Sequence, residues 1–240
     1  MTSQAKRWSQ LMVIHPSDLS PHAPRTFRDR REAGRLLAPR LQHFAGRNDV
    51  VVLALPRGGV PIAYEIAVAL GAPLDVFTVR KLGVPGQREF AMGAIGSGGA
   101  CVLNNDMIAM LHISGREVDE VIERESVELE RREHLYRDSR PYPTLAGKTV
   151  ILIDDGIATG ASMIVAVHAL QQKKPAKIVV AVPVAPNDSC AAIREHVSEV
   201  ICYETPEPFG GVGAWYKDFS QVTDDEVRAL LDQAALRRAV

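Results

Sequence analysis

Apolar residues along this chain gather in two kinds of pattern, and the two alternate. Val50 to Leu55 is a continuous apolar run rich in β-branched residues, as expected of a strand buried on both faces. Gly58 and Gly59 lead into Val60 to Leu70, whose apolar positions fit a helix, and Pro73 to Val79 reads as a second strand completing a βαβ unit. The alternation resumes further on. Thr149 to Ile153, Lys177 to Val182 and Glu199 to Tyr203 read as strands, with helices over Ala161 to Gln172 and Asp188 to His196 between them. Near the start, Phe27, Leu36, Leu37, Leu41 and Phe44 recur at helical spacing, and Pro39 breaks that helix near its end. Thr223 with Glu226 forms a capping box that opens a last helix running to about Arg238.

Between the two alternating regions the pattern changes. Leu82 to Gly99 is so dense in glycine and proline that it reads as a long mobile loop, followed by a short strand, Ala100 to Leu103. Arg116 to Arg137 is a charged helix with acids and arginines at three- and four-residue spacing. Residues 1–25 show no sustained period and read as a poorly ordered leader, with one domain over 26–240. The fold class is therefore α/β, a mostly parallel sheet flanked by helices. Ligands in such sheets bind beyond the carboxyl ends of the strands, which is where chemistry is to be sought.

Composition narrows the partners. At 240 residues, 24% charged and a net charge of -1, the chain has no global field for nucleic acid or an acidic membrane. The Arg-rich stretch from Arg25 to Arg40 reads as a solvated helix face. Cys101, Cys190 and Cys202 are far apart and form no C-x-x-C pair, which predicts reduced thiols and a cytoplasmic location. No apolar run near the start reaches the length of a signal or spanning segment, and the histidines lack metal-ligand spacing.

Three segments carry chemistry. In Val150 to Ser162 an apolar strand ends in Asp154 and Asp155, and a short loop, Gly156, Ile157, Ala158, Thr159 and Gly160, turns into a helix at Ala161 and Ser162. Free backbone N–H groups at the helix start, with the Thr159 and Ser162 hydroxyls, suit a phosphate monoester. The paired acids suit a vicinal diol or a metal ion. An Asp-Asp-Gly turn followed by a plain helix cap is the competing structural explanation. After the first strand, Pro56, Arg57, Gly58 and Gly59 offer close-approaching amides and a fixed positive charge, and Arg80 with Lys81 follows the second strand. Gly147-Lys148-Thr149 is not a nucleotide loop, because it precedes a strand.

The Val150 to Ser162 segment resembles the diphosphate-ribose signature of the type I phosphoribosyltransferases, and the other two segments match that family's diphosphate contacts. The resemblance implies that fold, with a small hood from about 104–146 and 184–220. It also implies binding of 5-phosphoribosyl 1-diphosphate (PRPP) with Mg2+, which the acids hold indirectly or through PRPP. Asp154 and Asp155 would hold the ribose hydroxyls, Ala158 to Ser162 the 5-phosphate, and Arg57, Arg80 and Lys81 the diphosphate, with a cis bond between Pro56 and Arg57. The implied reaction transfers the phosphoribosyl group to a small nitrogen acceptor; a non-catalytic PRPP-binding regulator is the alternative. A homodimer is compatible with the resemblance. Gly156 departs from the pattern, which usually has a branched apolar residue there. Ala158 stands where relatives acting on 6-oxopurines place an acid, which argues against hypoxanthine and guanine. Trp215 and Tyr216 are candidates to stack on the acceptor.

Overall fold

The computed structural model describes residues 25–137 and 142–238, so the leader expected over 1–25 lies almost wholly outside the described residues. The first half runs α1 (Arg30–Leu37), a 3-10 helix (Ala38–Phe44), β1 (Val50–Ala54), α2 (Gly59–Leu70), β2 (Leu74–Val76), β3 (Val79–Val84), β4 (Gln87–Gly96) and β5 (Ala100–Leu103). It continues through α3 (Asn105–Met110), α4 (Gly115–Arg137), β6 (Thr149–Ile153), α5 (Ala161–Gln171) and β7 (Lys177–Val184). The chain closes with α6 (Asn187–Arg194), β8 (Glu199–Glu204), a 3-10 turn (Val212–Trp215) and α7 (Asp224–Arg238).

The central sheet has the order β2-β1-β6-β7-β8, and every pairing in it is parallel. Both of its faces are covered, which is why the strands read as unbroken apolar runs. Val50, Val52, Ala54, Ile151 and Ile153 face a core layer shared with Leu37, Ile62, Ile66 and Val227 of α1, α2 and α7. Val51, Leu53, Val150 and Leu152 face the opposite layer, with Met163, Val167 and Ile193 of α5 and α6. Each fully buried aliphatic side chain contributes roughly 1.5–3 kcal/mol, so the two layers fix the frame from which the connecting loops leave.

Helix ends follow local chemistry. Asp29 caps α1 by accepting from the Glu32 amide at 2.7 Å, and α1 stops just before Pro39, where the chain tightens into the 3-10 helix. Thr223 caps α7 through the Glu226 amide at 3.1 Å. Among the described residues, no helix is long and apolar enough to cross a membrane.

Four expectations need correction. Leu82 to Gly99 is mostly strand: β3, β4 and β5 form an antiparallel sheet of their own. Its glycines serve turns and close approach. Gly86, Gly98 and Gly99 take positive φ, and a Cβ on Gly93 would sit 2.3 Å from the Val102 carbonyl. Leu82, Met92 and Ile95 then pack on Val118, Val121 and Leu129 of α4. Second, the strand expected over Pro73 to Val79 ends at Val76; Val79 already belongs to the antiparallel sheet. Third, Cys190 and Cys202 are joined as a disulfide with their Cα atoms 7.2 Å apart, while Cys101 is free. Packing of α6 against β8 brings the two together, and no short motif announces it.

Fourth, the Arg25 to Arg40 stretch is not simply a solvated face. Arg31 and Arg35 pair with Glu65, Arg40 donates to the Cys202 carbonyl, and Arg30 reaches Asp155.

Candidate functional site

The sheet order sets the place. β1 lies between β2, its successor in the chain, and β6, so the connections leaving β1 and β6 diverge to opposite sides and open a crevice. The two strand ends are tied by the Leu55 amide donating to the Ile153 carbonyl at 2.8 Å. A cavity of about 540 Å³ opens beside them. Its wall includes Leu55 and Pro56, then Thr78 and Lys81, then Asp154, then Ala161 and Ser162 at the start of α5. The segments singled out by sequence thus converge on one cavity.

The loop after β1 is pressed against the acids. A Cβ on Gly59 would lie 2.7 Å from the Ile153 carbonyl, and one on Gly58 would lie 2.0 Å from Oδ2 of Asp155. The Pro56–Arg57 bond is cis. These glycines are there for space: Gly58 has φ of -58°, which any residue can adopt.

The two adjacent acids differ. Asp154 lines the cavity, and its Oδ1 accepts the Asp155 amide at 2.8 Å. Burial pushes its carboxyl well above the usual range, and the neighbouring charge of Asp155 pushes the same way. Asp155 takes two bonds from Arg30 to Oδ2, from Nε at 2.9 Å and Nη2 at 2.8 Å. Burial raises this carboxyl too, against the opposing pull of Arg30.

Beyond the acids the loop is anchored at two points. The Ile157 amide donates to the Val184 carbonyl at 2.9 Å, and Ser189 Oγ donates to the Ala158 carbonyl at 2.6 Å. Ala158, Thr159, Ala161 and Ser162 are exposed. Gly160 precedes α5 with φ of 79° and offers no capping side chain, and the Ala161 amide reaches the Thr159 hydroxyl at 3.4 Å. Thr78 adds one further feature: its backbone is held by Ser97, while its buried Oγ1 has no hydrogen-bond partner among the described residues.

A model of the phosphoribosyl transferase domain matches residues 29–216. The chain belongs to that family. Over 208 residues it is 47% identical to the Mycobacterium tuberculosis H37Rv protein named "Putative phosphoribosyl transferase Rv0571c", covering 87% of this chain and 47% of that protein. The matching protein of strain CDC 1551 gives the same figures, so the chain spans about half the length of the curated relatives it matches. A crystal structure of TT1426 from Thermus thermophilus superposes with a TM-score of 0.77 at 44% identity, covering 87% of this chain and 98% of that one.

Within this phosphoribosyl transferase domain the basic residues separate. Lys81 lines the cavity, whereas Arg80 turns to Glu125 of α4, with Nε at 2.9 Å, and Arg57 lies 3.8 Å from Asp224 at the start of α7. Arg132 of α4 also lines the cavity, held by Glu128 at 2.8 Å. Nothing in its charge-alternating helix distinguishes it in sequence. Trp215 donates from Nε1 to the Phe209 carbonyl at 2.8 Å. Tyr216 is buried with its ring against Phe27 and Phe219, and its hydroxyl donates to the Asp155 carbonyl at 2.6 Å.

Gly156 has a spatial explanation. A Cβ there would meet Cγ1 of Val212 at 2.5 Å and Cγ1 of Val184 at 3.1 Å, so Val212 of the C-terminal stretch occupies the space that a branched side chain would need. Gly156→Val is expected to destabilise the protein by about 1–3 kcal/mol through overpacking. Thermal unfolding checks it, and a variant as stable as wild type would remove this account of the glycine.

Proposed function

We propose that the protein transfers the 5-phosphoribosyl group of PRPP to a small nitrogen acceptor and releases diphosphate. One arrangement carries the reading: Asp154, Lys81, the loop after β1 and the exposed start of α5 meet around one cavity large enough for a phosphorylated sugar. Asp154 and Asp155 belong to the ribose end of this site. The amides from Ala158 to Ser162 take the 5-phosphate, and Gly58, Gly59 and Lys81 take the diphosphate, with Arg57, Arg80 and Arg132 adding positive charge nearby. The buried Thr78 hydroxyl gains a partner when a polar ligand fills the cavity.

In the reaction the nitrogen lone pair forms a bond to C1 of the ribose as the C1–oxygen bond to diphosphate breaks; the diphosphate leaves with both electrons of that bond, and the proton released from the nitrogen passes to solvent. Lys81 and Arg132, the basic residues on the cavity wall, stabilise the charge that develops on the leaving oxygens. Mg2+ fits the site, because Asp154 supplies the hard carboxylate oxygens that it prefers and PRPP supplies the rest. When bound, it would supply positive charge beside the diphosphate. Asp154, as the acid on the cavity wall, orients the ribose by accepting from its hydroxyls.

The acceptor is neither hypoxanthine nor guanine, since the Ala158 methyl group cannot hydrogen-bond a purine N7 or assist proton transfer. Adenine, a pyrimidine or a non-nucleobase amine remain. Diphosphate release measured with PRPP, Mg2+ and a panel of these acceptors is expected to show turnover with one of them and none with the 6-oxopurines. Rapid turnover of hypoxanthine would overturn the acceptor argument. Tight PRPP binding without turnover of any acceptor would favour a regulator over a transferase.

A further inference from the structure

We propose that Arg30 is a positioning residue for the PRPP loop: it grips Asp155 from outside the cavity and leaves Asp154 as the acid presented to the ligand. The inference rests on the PRPP reading for its functional consequence, and on geometry for the grip itself.

Arg30 is the first residue of α1, 125 positions from its partner in sequence, yet its side chain is only 11% exposed. Nε and Nη2 both reach Oδ2 of Asp155, Nη1 donates to the Ser220 carbonyl at 2.8 Å, and the guanidinium lies 4.0 Å from the ring centre of Phe219. A guanidinium fixed at three nitrogens and stacked on a ring has one orientation. Asp155 is held a second time at its backbone, where the Tyr216 hydroxyl binds its carbonyl.

These holders form one strap. Phe27 donates to the Trp215 carbonyl at 2.8 Å and Lys217 donates to the Phe27 carbonyl at 2.8 Å, while the Asp218 amide reaches the Arg28 carbonyl at 2.9 Å. The entry to α1 and the aromatic stretch after β8 are thereby sewn together around the turn between Asp154 and Gly156. Neither Arg30 nor Asp155 lines the cavity, whereas Asp154 does.

A buried ion pair is a poor device for stability, because desolvating both charges offsets their attraction. Here it has a use. With Oδ2 of Asp155 held by Arg30 and its carbonyl held by Tyr216, the turn that follows Asp154 is fixed, and Asp154 keeps its place on the cavity wall.

The test compares wild type, Arg30→Gln and Arg30→Lys in two measurements. In PRPP-dependent diphosphate release with the acceptor found active, Arg30→Gln is expected to raise the KM for PRPP at least tenfold at neutral pH with a smaller change in kcat. Arg30→Lys should recover most of the affinity. Wild-type KM in Arg30→Gln, or no recovery in Arg30→Lys, overturns the proposal. The second measurement needs no PRPP. Tm of the ligand-free protein is measured at one pH for wild type, Arg30→Gln, Asp155→Asn and the double variant, and the double variant should lose less than the sum of the two single losses. Additive losses overturn the grip on Asp155. If wild type shows neither PRPP binding nor turnover, the PRPP reading fails by itself, and the Tm comparison still decides the contact. Should Arg30→Gln not fold, Arg30→Met, whose unbranched stem still packs on Phe219, replaces it in the same comparison with the same outcomes.

Discussion

Replacing Asp154 by Asn is expected to stabilise the ligand-free protein at pH 8 and to remove most of its affinity for PRPP. Burial and the charge of Asp155 both raise the Asp154 carboxyl, so the folded state favours the protonated acid. An acid with a raised folded value contributes stability that is complete below its unfolded value, near 3.9, and is lost as pH climbs through the folded one. The wild-type protein should therefore lose Tm on going from pH 5 to 8. Asn is isosteric with the neutral acid and can still accept the Asp155 amide through Oδ1, so the variant should have a flatter profile and a higher Tm at pH 8. Each kcal/mol recovered corresponds to about 2–4 °C in a chain of this size. The ligand sees the opposite effect. A charge-assisted contact to a ribose hydroxyl contributes roughly 1.5–3 kcal/mol, so Kd for PRPP should rise about ten- to a hundredfold. Calorimetry with PRPP and Mg2+ and a pH series of melting curves decide the two halves separately. Unchanged affinity would remove Asp154 from the site, and a Tm that falls would show that the charged form is the one the fold prefers.

What could be read from the sequence was what one continuous segment encodes. β1 and β6 are legible because a parallel strand covered on both faces is apolar at every position, and Val50–Ala54 and Thr149–Ile153 are buried throughout. The acids and the helix start after β6 are legible because they are contiguous and resemble a known signature. The hairpin over Leu82 to Gly96 was not. Its glycines are needed where Gly93 abuts the Val102 carbonyl and where Gly86 turns the chain, and a count of glycines cannot separate such positions from a loose loop. Arg30 was equally hidden, since its partner is 125 residues away and its neighbours Arg31 and Arg35 serve a different acid, Glu65. Tyr216 was legible as an aromatic near the site but not as the donor that binds the Asp155 carbonyl, because which face of a terminal segment turns inward depends on the strap formed with Phe27.

Gly58→Ala is expected to be among the most damaging single-methyl changes in the molecule, although neither backbone strain nor helix propensity is against it. Gly58 sits in right-handed helical conformation, φ -58° and ψ -34°, where alanine is ordinarily favoured over glycine. The obstacle is space. The added Cβ would stand 2.0 Å from Oδ2 and 2.5 Å from Cγ of Asp155, and that carboxylate cannot swing away without releasing Arg30. The loop after β1 must then withdraw from the acids, or the buried ion pair must break. Withdrawal should cost about 1–3 kcal/mol as overpacking does, and a broken buried pair about 3–5 kcal/mol. Either response moves the amides of Gly58 and Gly59 relative to Asp154, so PRPP affinity should fall with stability. Gly115 provides the control, because a Cβ there meets nothing within 4 Å, and Gly115→Ala should be neutral or mildly stabilising. A double-mutant cycle identifies the cause. With Asp155→Ala already in place, Gly58→Ala should become far less costly, giving a coupling of about 1–3 kcal/mol between the two positions. Urea unfolding of the four proteins measures it. Additive effects would mean that the glycine is required for some reason other than the carboxylate packed against it.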